Sequence, residues 1–489
     1  MKHSLIFIML IVIAFGVEGA EPMHLSLPEA IARARTNSVD AEVALNQLKS
    51  AYWGYRSYRA ELLPEISFRG TVPSYRKQYS SYMNSEGSYT FVPNNYLQMQ
   101  GELSMAQNIW LTGGTVSVNT SLDFYRQMGR GAYNRYMSIP VAITLNQPIF
   151  GVNHIKWDRK IEPVRYEEAK ARYLSDTEDV ATSAIQYYFA LLMARENYAI
   201  ARQNLEQAER LYEVAKEKRD MGRISRNDLL QMELNLLNAK TDMTDCESNL
   251  KSNVFQLCTF LDLDLDTQIE AEIPLDVPDV HIVYDDAYEK AMANNKFAKQ
   301  MLRYQLEADY QVARAKGAQR EINLFAQIGY TGTDRDFSGA YHSLKDNQVV
   351  EIGFEIPLVD WGRRKGQVKV AESNRKLVES QVRQENMNFS RNLFILVEQY
   401  GNQLQQLQTA KRADEIAAQR YATNVETFLI GKISTLDLND SRVKKDEARR
   451  EYVNELYRFW LYYYQIRSIT LWDYQRNSAI EFDDMVISK

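Results

Sequence analysis

Along most of the chain apolar residues recur every three to four positions, and long stretches carry that period with little interruption. Within 363–430 the residues Leu393, Leu396, Tyr400, Leu404, Leu407 and Ala410 advance in such steps, no proline occurs, and only Gly366 and Gly401 break the run. A helix there reaches roughly 100 Å at ~1.5 Å per residue, and it packs in the manner of a coiled coil. A slightly shorter counterpart is predicted at about 163–221. Short amphipathic helices are predicted at 27–37 and 284–295, each followed by a second of about twenty residues. Elsewhere the period drops to two. Residues 322–330 and 349–356 form one hairpin across a polar, Gly-containing loop. The region 64–148 offers four strand candidates, at 66–72, 97–105, 115–124 and 139–145, with Thr112-Gly113-Gly114 as a turn signal between the middle two.

The same order of elements occurs twice. Gly222-Arg223-Ile224-Ser225 recurs as Gly431-Lys432-Ile433-Ser434, a shift of 209 (431 − 222). That shift also carries Pro148 to Pro357, Tyr212 to Tyr421, Asp228 to Asp437, Leu229 to Leu438 and Ala239 to Ala448. Earlier in each half the shift is 257, carrying Ala30 to Ala287, Ala34 to Ala291, Asn37 to Asn294 and Ala51 to Ala308. The halves, 21–262 and 263–475 with a tail at 476–489, thus differ by 48 residues (257 − 209), all within 64–148. Longer strands, surface loops or an added hairpin would each account for the excess. Each long helix stops at a Gly-containing tip, and a return helix follows, with Ser225 and Ser434 as N-caps and Asp228 and Asp437 at N3, an acidic form of the capping box.

Composition narrows the setting. Residues 1–20 begin with Lys2, continue through an apolar run and end in small residues, which reads as a secretory signal peptide cleaved after Gly19 or Ala20. No cysteine follows to carry a lipid anchor. Beyond it no apolar segment reaches the ~20 residues of a membrane helix, so any crossing must be made by a closed β-barrel. Tyr75, Tyr79, Tyr82, Tyr89, Phe91 and Tyr96 suit the aromatic girdles of such a barrel. Two to four hairpins per chain are too few to close around water, so several chains must assemble. Cys246 and Cys258 lie twelve apart on a predicted helix, roughly 18 Å, beyond disulfide reach. The five histidines keep no catalytic or metal-binding company, which argues against an enzyme, a metal or a cofactor. A net charge of −6 with both signs interleaved argues against a nucleic-acid partner. A soluble periplasmic coiled-coil scaffold is the alternative, but it gives no reason for strand-rich insertions at equivalent points of a repeat.

The two tips, 221–230 and 430–438, together with Gln147-Pro148-Ile149-Phe150, Ile356-Pro357-Leu358-Val359-Asp360-Trp361-Gly362 and the closing 464–471, resemble the TolC-like outer-membrane efflux family over nearly the whole mature chain. The resemblance implies a mainly α fold with a membrane β-barrel part. In that fold a homotrimer shares one long α-helical barrel and one twelve-stranded β-barrel set in outer-membrane lipid. It further implies docking to a periplasmic adaptor (membrane fusion) protein and, through it, to an inner-membrane RND or ABC transporter that supplies the energy. Drug efflux, metal efflux and type I protein secretion are not separated. Carried over by position, Asp437 and Asp440 line the narrow aperture and Asp228 joins its closing contacts. Three copies of each would form rings of like charge that favour cations, offset by Arg223, Arg226 and Lys432. The family's basic residue two places after the second glycine is here Ile433, so Lys432 or a first-half arginine such as Arg223 would have to stand in. Adaptor docking falls on Gly222, Ile224, Gly431 and Ile433, where glycine allows close backbone approach.

Overall fold

The structure, a computed structural model, describes residues 23–482 apart from Asn84, Glu86, Arg130, Asp266, Glu321, 355–358 and Gly431. The expected signal peptide, the Ile356-Pro357-Leu358 part of the second strand motif and the end of the tail lie outside the described residues. In chain order the elements are β1 (Met23–Leu25), α1 (Leu27–Asn37), α2 (Val39–Glu61), β2 (Glu65–Met83), β3 (Tyr89–Asn108), β4 (Thr115–Met128), β5 (Tyr133–Ile149), α3 (His154–Asp220) and α4 (Arg226–Phe260). The second half continues with β6 (Ile269–Ala271), α5 (Tyr284–Asn294), α6 (Lys296–Gly317), β7 (Ile322–Asp334), α7 (Gly339–His342), β8 (Leu344–Phe354), α8 (Arg363–Leu429) and α9 (Thr435–Thr470). A small turn of β9 (Trp472–Asp473) and β10 (Ser478–Ala479) ends it.

The duplication is built into the backbone. The long helices α3 and α8 are both 67 residues, about 100 Å at ~1.5 Å per residue, and their starts are offset by 209 (363 − 154). The pairs α1/α5 and α2/α6 start 257 apart. One expected boundary is corrected: α3 begins at His154, not near 163, and Pro163 sits inside it. Asn153 caps it by accepting the Lys156 N–H at 2.9 Å, His154 bonds the Tyr310 hydroxyl at 2.6 Å, and Arg159 lies over the Trp110 ring. These contacts outweigh the one helical hydrogen bond that a proline removes. Among the described residues, no helix is long and apolar enough to cross a membrane.

The described chain divides into two compact units, the first comprising 23–45, 173–291 and 392–482, the second 46–172 and 292–391. In the first, β1 pairs in parallel with β6. The fully buried Tyr188 stitches that pair to α3: its hydroxyl lies 2.9 Å from the Leu25 carbonyl and 2.6 Å from that of Glu272, and it accepts the Glu272 N–H. The same unit holds a buried ionic chain. Arg467 on α9 pairs through Nε with Glu178 of α3 at 3.2 Å and through Nη1 with Asp473 at 2.9 Å, while Arg35 of α1 takes the other Glu178 oxygen. Burial works against the Arg467 charge, but Glu178 and its other neighbours outweigh it and hold its pKa above the ordinary arginine value.

Among the described residues the second unit holds one antiparallel sheet of six strands in the order β2-β3-β4-β5-β7-β8. The four first-half strands make two hairpins where the second half makes one. The 48-residue excess is therefore largely an added hairpin, β2–β3, between α2 and β4. The fold class holds, but the four strands per chain that twelve shared by three would require are exceeded by two. Gly113 and Gly114 make the turn that admits the addition. Gly113 has φ +78°, and a Cβ on Gly114 would stand 2.3 Å from Gln147 Oε1, so neither position tolerates a side chain without displacement. Among the helices of the same unit Arg303 of α6 bridges Glu168 of α3 at 2.6 Å and Glu307 at 3.0 Å.

Candidate channel wall and helical tips

The two faces of the sheet differ in kind. In register across five strands lie Ile66, Met105, Val118, Ile143 and Ile328, all exposed. One residue along, the other face carries Ser67, Ser104 and Asn119, with Ser104 donating to Asn119 at 2.6 Å and Asn119 reaching Thr144. Period-two alternation produces this, and it leaves one face for hydrocarbon and one for water. Aromatic residues mark both borders of the apolar band. On the apolar face Phe124 packs on Tyr136 opposite it and Tyr136 on Phe337, whereas Tyr96 and Tyr125 pack together on the polar face, in phase with Ser104 and Asn119. At the foot, where strands give way to helices, Trp110, Phe150 and Trp361 stand 54%, 71% and 95% exposed. Of the six aromatics singled out from sequence, all lie on β2 or β3. The foot tryptophans were not read as girdle residues because each stands alone in the sequence.

The helical tips belong to the first unit, and there the two halves meet. Gly222 adopts φ +71° at the end of α3, with Arg223 N–H donating to the Lys218 carbonyl at 2.8 Å and Gly222 N–H to that of Arg219 at 2.9 Å. This is a Schellman ending. Lys432 N–H makes the equivalent bond to Thr427 at 3.1 Å, while Gly431 lies outside the described residues. Both return helices then open with the expected capping box. Ser225 Oγ accepts the Asp228 N–H at 3.1 Å and donates to its carboxylate at 2.7 Å; Ser434 and Asp437 repeat this at 3.2 and 2.6 Å. The Ser434 hydroxyl and amide hold the Asp437 carboxyl below the ordinary range. Removing either hydroxyl, Ser225→Ala or Ser434→Ala, is expected to cost about 0.5–2 kcal/mol and to accelerate amide exchange in the first turn of α4 or α9. Exchange unchanged from the parent would show that the caps contribute nothing.

Between the tips lies a cleft of about 500 Å³ lined by Lys218, Arg223, Ile224, Asp228, Ile430 and Ile433, among others. Lys218 sits over the Phe428 ring at 5.3 Å across the same seam. The cleft thus gathers Arg223, Ile224, Asp228 and Ile433 of the expected site. Asp440 is placed differently: it pairs with Arg420 of α8 at 2.8 Å, both half-exposed. Arg420 was missed because twenty positions and a helical turn separate the partners in sequence. Arg223, Arg226 and Lys432 are exposed, and among the described residues none pairs with Asp228, Asp437 or Asp440. Farther along, Arg449 of α9 joins the two helical hairpins by bonding Glu196 at 2.9 Å and Asp414 at 3.2 Å.

The model of the outer membrane efflux protein family matches residues 116–261 and 288–460, covering both halves and both tips. The chain belongs to that family. Several solved structures share the fold of this efflux protein. The Campylobacter jejuni CmeC outer membrane channel is 16% identical with a TM-score of 0.67, over 94% of this chain and 87% of that one. VceC from Vibrio cholerae is 14% identical with a TM-score of 0.64, over 93% and 97%. The open state of the Neisseria gonorrhoeae MtrE outer membrane channel is 13% identical with a TM-score of 0.57, over 91% and 88%. No curated protein matches. The efflux protein is accordingly a channel subunit of the outer membrane, from a family of ducts that work in tripartite efflux systems and not from a family of enzymes. The reading as a soluble scaffold falls with the same match.

Proposed function

We propose that three copies of the chain form one passive duct, with the amphipathic sheets in outer-membrane lipid and the helices in the periplasm, narrowed at the tips. A periplasmic adaptor docks on the cleft between the tips, around Gly222, Ile224, Gly431 and Ile433, and links the duct to an inner-membrane RND or ABC transporter. The observation that carries this reading is the sheet with one exposed apolar face and one hydrogen-bonded polar face, because only a closed wall between lipid and water uses both.

The aperture consists of rings of Asp437 and Asp440, with Asp228 in the closing contacts. Asp437 also caps α9 through Ser434, and Asp440 is restrained by Arg420. Ile433 lies in the cleft, which leaves Arg223 and Lys432, both exposed, as the cations that offset the rings. In planar bilayers the double variant Asp437→Asn with Asp440→Asn is expected to lose cation selectivity and to show a larger resting conductance. Current and selectivity equal to the parent's would remove these residues from the aperture.

A further inference from the structure

The sheet has two free edges, β2 and β8, in a wall that faces lipid. Hydrocarbon offers no partner to the N–H and C=O groups of such an edge, so both must be paired. They cannot pair with each other within one chain, since even eight strands enclose only enough room for side chains. The occupant of each edge is a second copy, and strand direction permits it. β2 follows α2 away from the helices and β8 returns to α8, so β8 of one copy meets β2 of the next antiparallel, as all neighbours in this sheet do.

A twelve-stranded wall would need only β4, β5, β7 and β8, leaving the β2–β3 hairpin outside it or in the bore. The geometry argues against both. β3 and β4 pair without a break from Asn95↔Met128 to Asn108↔Thr115. Their connection has no slack, with Ile109 N–H on the Gly114 carbonyl and Gly113 N–H on the Ile109 carbonyl, each at 2.8 Å. The foot of the hairpin is tied down as Gln107 donates to the Leu62 carbonyl and Asn108 to that of Glu61. Ile66 and Met105 also continue the apolar row of Val118, Ile143 and Ile328, which a hairpin in the bore would expose to water.

We infer that, given the threefold assembly proposed above, the wall contains eighteen strands (3 × 6), and that β2, not β4, pairs with β8 of the neighbouring copy. At a strand spacing of ~4.8 Å and a tilt of ~40°, the backbone radius is roughly 18 Å against roughly 12 Å for twelve strands. The outer-membrane section is then an open aqueous passage of porin width, and selection by size falls to the helical tips.

Cysteine pairs on the water-facing side decide the matter, introduced into the full chain after Cys246→Ser and Cys258→Ser. One set places Ser67→Cys or Thr71→Cys in β2 with Asn347→Cys or Glu351→Cys in β8; the other places Ser117→Cys or Asn119→Cys in β4 with the same β8 partners. Oxidation in outer membranes is expected to give covalent dimers and trimers from the β2/β8 set and only monomers from the β4/β8 set. End-on electron cryo-microscopy of the solubilised parent is expected to count eighteen strands. Cross-linking through β4, or a count of twelve, overturns the inference while leaving the trimeric duct intact. A monomer by both measurements would instead bring down the duct itself.

Discussion

Replacing Glu178 with alanine is expected to cost the folded chain about 3–5 kcal/mol. Glu178 is 2% exposed and receives two guanidinium groups, Arg467 from α9 and Arg35 from α1. Its removal leaves Arg467, 9% exposed, with Asp473 as its one carboxylate among the described residues, and a buried charge with too little compensation is among the most destabilising lesions a core can carry. Glu178→Gln keeps the volume and one acceptor, and should fall between parent and alanine. Denaturant unfolding of the solubilised protein measures all three. A loss under about 1 kcal/mol for alanine would mean that the network is no keystone of the first unit.

Ile328→Arg is expected to cost about 2–4 kcal/mol in a bilayer, whereas Gln327→Arg, one residue away, should change stability by well under 1 kcal/mol. Ile328 is 57% exposed on the apolar face, opposite Ile143, and would place a guanidinium in hydrocarbon. Gln327 lies in the opposite phase of the same strand, opposite Thr144. Urea unfolding in lipid, with the amount reaching the outer membrane as a second readout, compares the two. Equal losses at both positions would mean that the faces have been assigned wrongly.

The helical architecture was legible because two copies of one pattern calibrate each other. The offsets of 257 and 209 recur in the starts of α1/α5, α2/α6 and α3/α8, and the serine and aspartate caps at the tips fell where the sequence put them. Pro163 misled because proline more often opens a helix than sits inside one, and the contacts that retain it come from Tyr310 and Trp110 on other elements. The strand candidates were all present, but whether the excess made loops or wall depended on pairing, which periodicity does not report.

At the tips, what is local was visible and what is tertiary was not. Asp440 could be aligned, yet its Arg420 partner lies across the helical hairpin. The Arg467–Glu178 pair was further concealed by the repeat itself. The offset of 209 places Cys258 opposite Arg467 and Met387 opposite Glu178, so the duplication carries no second copy to draw attention to the first.

The added ribbon enters from α2 and leaves into β4 at the same border of the membrane, ending at the Thr112-Gly113-Gly114 bend beside the start of α3. An up-and-down pair of this kind can be spliced in or excised without rerouting either neighbour or altering a single helix. The girth of the pore mouth and the architecture of the helical conduit are thereby separable traits.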